Sequence, residues 1–291
     1  MKQKIILLLL FFPILAYSQT DSLSMDLAAL AKMDSIEQSL KYQHGTVQLG
    51  DGFASLVVPE GYKFLDAAQS TYVLTNLWGN PPSDVLGLLF PENISPLSEN
   101  FTYAVEISYS EEGFIKDKDA KKIKYDELLE QMQKESLEAN PDRVKAGYEP
   151  VELVGWASTP FYDESSKKLH WAKELKFGEA EMNTLNYNIR ILGRKGYLNL
   201  NAIGDITVLP EVKKDISKIL TSVNFNKGYT YEEFNPKLDK VAAYGIGGLI
   251  AGKVLAKVGL FAVFLKFWKI IALAVIGGFA AFRKKIFKKE E

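Results

Sequence analysis

The sequence predicts an α+β fold built on antiparallel sheet, with helices on its flanks and a C-terminal transmembrane helix. Runs of alternating apolar and polar residues follow one another through short turns, which favours antiparallel neighbours. Segments with helical periodicity separate these runs, and no period of 20 to 50 residues indicates a repeat array. A stretch of apolar residues at 258–282 is long enough to cross a bilayer.

The N-terminus has the pattern of a cleaved secretory signal. Two lysines precede an apolar run at residues 5–15, and the short triplet Ala-Tyr-Ser follows at 16–18. We therefore expect residues 1–18 to be removed and the mature chain to begin near Gln19. The chain has no cysteine, so neither a disulfide nor a lipid-modified cysteine is expected.

Residues 19–235 are predicted to form one exported α+β domain. Helices are predicted from helical spacing or capping residues at 23–40, 66–78, 125–146 and 210–223. The third of these contains Pro141, where it either continues or breaks. A hairpin is predicted over 46–59 with its turn at 50–52, and further strands at 84–89, 101–109, 151–157, 169–177, 184–192 and 197–203. Residues 160–164 are interpreted as a turn.

The segment NTLNYNIRILGRKGYLNLNAI, residues 183–203, is interpreted as a hairpin turning at Gly-Arg-Lys-Gly. A register in which paired residue numbers sum to 389 places Ile191 opposite Leu198 and Ile189 opposite Leu200 on one apolar face. The same register lines the other face with polar side chains: Asn186, Asn188, Arg190, Asn199 and Asn201.

This polar face has two interpretations. It is either a solvated surface whose amides bond across the strands, or a recognition surface for a polar ligand such as a glycan or peptide. An aromatic beside the amides would suit a sugar, and Trp171 would supply it if its strand adjoins this hairpin.

Residues for catalysis or metal binding are scarce. The only histidines are His44 and His170, and no cysteine, GxSxG motif, Walker loop or dinucleotide fingerprint is present. We therefore expect no catalytic residues, no metal site and no cofactor. The alternative is a carbohydrate-active hydrolase that uses carboxylates near Trp171, such as Glu174.

The C-terminal region predicts a single membrane span. Residues 258–282 form the span, and the basic tail 283–291 stays on the cytoplasmic side, which leaves the N-terminal domain outside the cytoplasm. Lys266 and Lys269 lie on one face of the span, where they can snorkel or face a partner helix.

Residues 236–257 are predicted to form a glycine-rich, membrane-proximal helix. Gly248, Gly252 and Ala256 recur at four-residue spacing, which favours close self-association of helices in lipid. A structural subunit of an envelope complex, assembled through these three residues, is a further alternative for the function.

Charge is divided unevenly along the chain. Residues 236–291 hold eleven Lys or Arg and three acidic residues, a net of +8, while the whole chain is −1. With Lys2 and Lys4 set aside, residues 5–235 carry −11. A domain of this sign does not suit nucleic acid, whereas the basic tail suits anionic lipid headgroups.

Three long motifs carry a family resemblance: VELVGWASTPFYDESSKKLHWAKELKFG, TLNYNIRILGRKGYLNLNAI and YGIGGLIAGKVLAKVGLFA. The sequence resembles a bacterial family of membrane-anchored proteins of unknown function, the domain-of-unknown-function 2167 family, some members of which are labelled amylopullulanase regulators. The resemblance implies an anchored, exported domain with no established reaction and supplies no catalytic residues.

Taken together, these patterns predict a membrane-anchored, extracytoplasmic binding or regulatory protein without catalytic activity, held in the inner membrane by one span. Its expected partners are the bilayer itself and either an envelope protein or a polar glycan or peptide, and self-association is a further expectation.

Overall fold

The computed structural model describes residues 31–80, 82–98 and 101–252. The chain divides into two units, one ending at Lys41 and the other beginning at Tyr42. In the first unit, residues 31–39 form helix α1, which agrees with the C-terminal part of the helix predicted at 23–40. The predicted signal, span and basic tail lie outside the described residues.

The described part of the second unit contains the remaining described elements. Its strands are β1 (Thr46–Leu49), β2 (Ala54–Val57), β3 (Tyr62–Asp66), β4 (Gly87–Pro91), β5 (Tyr103–Ser110), β6 (Phe114–Lys116), β7 (Val151–Asp163), β8 (Lys168–Phe177), β9 (Thr184–Leu192), β10 (Tyr197–Asp205), β11 (Val223–Phe225) and β12 (Val241–Gly245). Its helices are α2 (Ala67–Tyr72), which continues as a π-helical turn (Val73–Leu77), α3 (Tyr125–Lys145), α4 (Leu209–Ser222) and α5 (Ile246–Ala251).

A seven-stranded sheet organises this unit, in the order β3-β4-β5-β10-β9-β8-β7. Every neighbouring pair in it is antiparallel. A smaller sheet has the order β1-β2-β11, and β12 pairs with β6 in parallel. The predicted α+β class with antiparallel sheet is confirmed.

The register predicted for the β9–β10 hairpin is confirmed. Ile191 pairs with Leu198, and Ile189 pairs with Leu200. All four side chains are buried in one core cluster with residues of α4 and of the small sheet. Burying each of them contributes about 1.5–3 kcal/mol, so this face firmly determines the register.

A second core cluster lies on the opposite face of the sheet, at one end. Trp171 and Tyr197 of the sheet pack there with residues of β6, α3 and α5, including Ile115, Leu128 and Ile246. Helices therefore lie on both faces of the large sheet, but the second face is apolar only over part of its length.

Helix α3 protects the outer edge of β7, an edge strand of the large sheet. Asn140 both donates to the carbonyl of Val151 at 3.1 Å and accepts from its N–H at 2.8 Å. Gln133 donates to the carbonyl of Val154 at 3.0 Å. These side chains satisfy backbone groups that would otherwise offer a template for another strand. The helix runs through Pro141 without a break.

Most predicted elements lie within a few residues of the observed ones. Asp66 accepts a hydrogen bond from the N–H of Gln69 at 3.0 Å, which confirms the predicted cap of α2. The prediction omits the short strands β3, β6, β11 and β12. The predicted strand also ends at residue 157, because Pro160 suggests a turn, whereas β7 continues to Asp163. An edge strand tolerates proline, since one side of its backbone needs no partner strand.

Residues 236–252 differ from the predicted membrane-proximal helix. Strand β12 occupies 241–245, and the helix that follows ends at Ala251, with Gly252 at φ +82°. This structure has a tertiary cause. Strand β12 pairs with β6, and the carboxylate of Asp119 accepts hydrogen bonds from the N–H groups of Ile246 and Gly247, both at 3.0 Å. No helix in the described part of the chain combines the length and apolar character that crossing a bilayer requires.

A polar triad of two buried tyrosines and the half-buried Asp215 links α4 to the large sheet. The hydroxyls of Tyr62 and Tyr103 contact each other, and they lie 2.9 and 3.1 Å from Oδ2 of Asp215. Burial raises the pKa of both tyrosines, so they remain neutral donors. Lys218 lies at the rim of this triad, with its Nζ 3.8 Å from Oδ1 of Asp215.

Replacing Asp215 with alanine should lower the free energy of unfolding by about 1–3 kcal/mol, because two buried hydroxyls lose their acceptor. Lys218→Ala is the matched control, and it should change stability by less than about 0.5 kcal/mol, since it removes only the ion pair made by an exposed lysine. Urea titration of the full chain measures both values. Equal effects from the two variants would contradict the role given to the triad.

Candidate functional site

Four adjacent strands bring the predicted polar residues together. One row across the sheet runs from Glu106 through Asn201 and Asn188 to Trp171, on β5, β10, β9 and β8. The row on one side contains Lys173 and Asn186, and the row on the other side contains Arg190 and Asn199. We call the resulting surface the polar sheet face, and define it by seven residues: Glu106, Lys173, Asn186, Asn188, Arg190, Asn199 and Asn201.

The structure thus places all five residues of the predicted site on one surface and adds Glu106 and Lys173. Side chains alternate along β8, so the sequence alone places Lys173 on the same face as Trp171. Knowing that β8 adjoins β9 would therefore have been enough to add Lys173 to the predicted site. Glu106 had no comparable local signal, because β5 pairs with β10 from a distant part of the chain.

A chain of hydrogen bonds orients Arg190. Its Nη1 donates to the carbonyl of Ile189 at 3.0 Å, and its Nη2 donates to Oδ1 of Asn188 at 3.3 Å. Asn188 in turn donates to Oδ1 of Asn186 at 2.6 Å. The guanidinium carbon lies 5.0 Å from the ring centre of Trp171, within the range of a cation–π contact.

The polar sheet face is not an ordinary solvated surface. Asn188 is only 4% exposed, and the other six residues are half-buried. Within the described residues, no acid lies within 4.0 Å of the charged groups of Lys173 and Arg190. Two cations are therefore held in a poorly solvated place without a direct counter-ion from this part of the chain.

Burial governs the protonation of these groups. It lowers the pKa of Lys173 to about 8, with a further contribution from the charge of Arg190. It also lowers the pKa of Arg190 to about 10. Burial raises the pKa of Glu106, while Arg190 acts in the opposite direction. Desolvation, the largest cause in each case, disfavours the charged form.

Two buried polar atoms on this face have no hydrogen-bond partner among the described residues. They are Nε1 of Trp171, a donor, and Oδ1 of Asn201, an acceptor, and they belong to the same row of the sheet. An unpaired buried polar group costs about 1–3 kcal/mol. The face therefore has hydrogen-bonding capacity that this part of the chain leaves unused.

Gly248, Gly252 and Ala256 are predicted on one face of a single helix, and the described structure does not place them on one helix. Gly248 lies within α5, where an added Cβ would come within 2.6 Å of the Tyr244 side chain. Gly252 follows the end of that helix, and Ala256 lies outside the described residues. Gly248 therefore serves packing within this chain, and the prediction of self-association is left without a described helix that carries all three positions.

The residues of the hydrolase alternative are separated. Trp171 pairs with Asn188 and Glu174 pairs with Leu185, so their side chains point to opposite faces of the sheet. Glu174 accepts a hydrogen bond from Nδ2 of Asn183 at 2.6 Å. His170 also has the parity opposite to Trp171, and it contacts the hydroxyl of Tyr187 at 3.0 Å. Across the described ranges, no group of three or more potential metal ligands comes together.

The fold and this surface define an α+β domain whose large antiparallel sheet carries a half-buried, amide-rich face with two cations. The chain belongs to the family described as "Protein of unknown function (DUF2167)", whose model matches residues 41–280. The resemblance given by the sequence motifs is thereby confirmed at the level of the family. No curated protein matches the sequence.

Solved structures with distant similarity include two proteins. One is cyanobacterial PsbP (CyanoP) from Synechocystis sp. PCC 6803, with a TM-score of 0.35 and 11% identity over 64% of this chain and 94% of that chain. The other is the Saccharomyces cerevisiae Ran-binding protein Mog1p, with a TM-score of 0.33 and 11% identity over 68% of this chain and 100% of that chain.

Replacing Lys173 with methionine should stabilise the protein at pH 7. Lowering the pKa from 10.5 to about 8 corresponds to about 3 kcal/mol of disfavoured charge, and we expect a gain of about 1–3 kcal/mol in the free energy of unfolding. In wild type this penalty disappears as pH rises from about 8 to 10.5, because the unfolded chain then binds the additional proton.

Urea titration of the full chain at pH 7 and pH 10 tests this expectation. The difference between wild type and Lys173→Met should shrink at the higher pH. Lys176→Met is the control, since it changes the same residue type on the opposite face of β8 and should alter stability by less than about 0.5 kcal/mol. A loss of stability in Lys173→Met at pH 7 would contradict the desolvation of this lysine.

Proposed function

We propose that this protein is a membrane-anchored, extracytoplasmic binding protein without catalytic activity, and that it recognises a polar ligand on the polar sheet face. The observation that supports this most directly is the pair Lys173 and Arg190, which is half-buried without an acid partner in the described residues. Groups held in an unfavourable charge state concentrate at functional sites, because the ligand supplies the missing interaction.

The amides of the face suit recognition rather than chemistry. Asn186, Asn199 and Asn201 each carry donors and an acceptor, and all three are half-buried, hence within reach of a ligand. Glu106 is the one acid among the seven residues that define the face, so these residues do not supply the carboxylate pair that glycoside hydrolysis needs. This composition favours binding over hydrolysis.

The sequence of the C-terminal region supports the membrane anchor. Residues 258–282 have the length and apolar character of a span, and the five cationic residues in 283–291 suit the cytoplasmic side. Helix α5 leads toward this segment, and its Ile246, Leu249 and Ile250 are buried in the core cluster that contains Trp171. An anchor at 258–282 would therefore hold the binding domain close to the bilayer.

Protease treatment of intact spheroplasts tests the topology. A protease added outside should digest the acidic domain of the wild-type protein and leave a small fragment that contains residues 258–291 protected in the membrane fraction. Permeabilised spheroplasts are the control, and there the C-terminal tail should also be digested. Full protection of the domain in intact cells, or release of the protein by carbonate washing, would refute the proposed anchor.

Site-specific cross-linking in native membranes tests the recognition surface. A photoreactive residue at Asn199, on the polar sheet face, should give an adduct, and the yield should fall at least fivefold when Arg190→Gln is added. The control carries the photoreactive residue at Lys195, which is exposed in the turn of the same hairpin. Adducts that are equal at both positions and insensitive to Arg190→Gln would argue against this surface.

An assay for glycan hydrolysis tests the alternative that the protein is a hydrolase. Full-chain protein incubated with a panel of glycans should release no new reducing ends. Turnover that is lost in Glu174→Gln would overturn the non-enzymatic proposal.

A further inference from the structure

The two cations of the polar sheet face flank one row of the sheet. Lys173 on β8 lies opposite Asn186 on β9. Arg190 lies four residues beyond Asn186, so the Cα atoms of Asn186 and Arg190 are about 13 Å apart at the usual rise of a strand. Between them lies the row that pairs Trp171 with Asn188. The guanidinium leans over that row, since its carbon is 5.0 Å from the Trp171 ring centre and its Nη2 bonds Asn188.

The charged groups on either side of this row are hydrogen-bond donors. Arg190 uses two of its five N–H groups in the bonds to Ile189 and Asn188, so three remain. The ammonium of Lys173 makes no ion pair with an acid of the described residues. Nε1 of Trp171 is also unpaired, but it is buried, at 1% exposure of the residue, and is not open to a ligand. A site that binds an oxyanion requires hydrogen-bond donors and positive charge, and Arg190 and Lys173 provide both.

Charge balance favours a singly charged group. With Glu106 ionised, Glu106, Lys173 and Arg190 sum to one positive charge, which a carboxylate neutralises. A phosphate dianion would leave excess negative charge in a poorly solvated place, and such an imbalance is costly there. The planar fork of an arginine also matches the geometry of a carboxylate.

We infer that Arg190 and Lys173 form a binding site for a carboxylate group of the ligand, and that the buried Trp171 ring supports the guanidinium from below. This inference rests on the proposed function and specifies the chemistry that the polar sheet face recognises. The ligand is then an acidic glycan or a peptide with a free carboxylate, rather than a neutral sugar, and Asn199 and Asn201 contact its uncharged part.

Pairs of small probes that differ only in the carboxylate test the inference. Full-chain protein in detergent is titrated with acetate against acetamide, and the indole N–H resonance of Trp171, assigned by Trp171→Phe, is followed by NMR. Galacturonate against galactose represents the glycan source, and N-acetylglycine against N-acetylglycinamide represents the peptide source. Inorganic phosphate is titrated in parallel.

Each carboxylate should shift the Trp171 resonance saturably, and its neutral analogue should cause less than a tenth of that shift. Arg190→Gln and Lys173→Met should each weaken binding at least tenfold, while Lys176→Gln, on the opposite face of β8, should leave it unchanged. The acid that binds more tightly, galacturonate or N-acetylglycine, identifies the source.

Equal responses to acid and neutral probes, tighter binding of phosphate, or binding that survives both substitutions would overturn the inference. The cross-linking experiment tests the proposed recognition surface independently of the carboxylate site. If the adduct formed at Asn199 persists and stays sensitive to Arg190→Gln while the carboxylate probes have no effect, the surface binds a partner without a carboxylate site.

Discussion

The pairing register of the β9–β10 hairpin is the constraint on which the rest of the molecule depends. Side chains alternate along a strand, so a slip of one residue would exchange the two faces of both strands. Ile189 and Leu200 would then leave the core, and Asn188 and Asn201 would enter it. Because β5 and β8 pair with the outer sides of this hairpin, their side chains are assigned to faces by the same register.

The two faces of the large sheet consequently have different physical roles. The apolar face gains its free energy from burial against α4 and the small sheet. The opposite face is apolar where α3 and α5 pack on Trp171 and Tyr197, and it is polar beside them. Arg190 lies at that boundary, stacked on the same two aromatic rings. Packing against an apolar cluster desolvates the cations, so a negative charge bound beside them would stabilise their charged forms.

The segment that leads toward the predicted span belongs to the same structure. Strand β12 pairs with β6, Asp119 binds the first N–H groups of α5, and Tyr244 bonds Glu112. The buried face of α5 packs in the cluster that includes Trp171. A ligand bound at Arg190 would thus rest on the residues that join the domain to its C-terminal segment.

The sequence by itself determined the family, the antiparallel class, the cap of α2, the position of α3 and the register of the central hairpin, because each depends on residues close together in the chain. Only the tertiary structure decided that Lys173 and Glu106 join the asparagines, that Glu174 faces away from Trp171, and that residues 241–251 form a strand and a short helix. These outcomes depend on pairings such as β5 with β10 and β6 with β12. Strands that meet from distant segments form through backbone hydrogen bonds that any residue except proline can make, so the choice of partner leaves little trace in the local pattern of side chains.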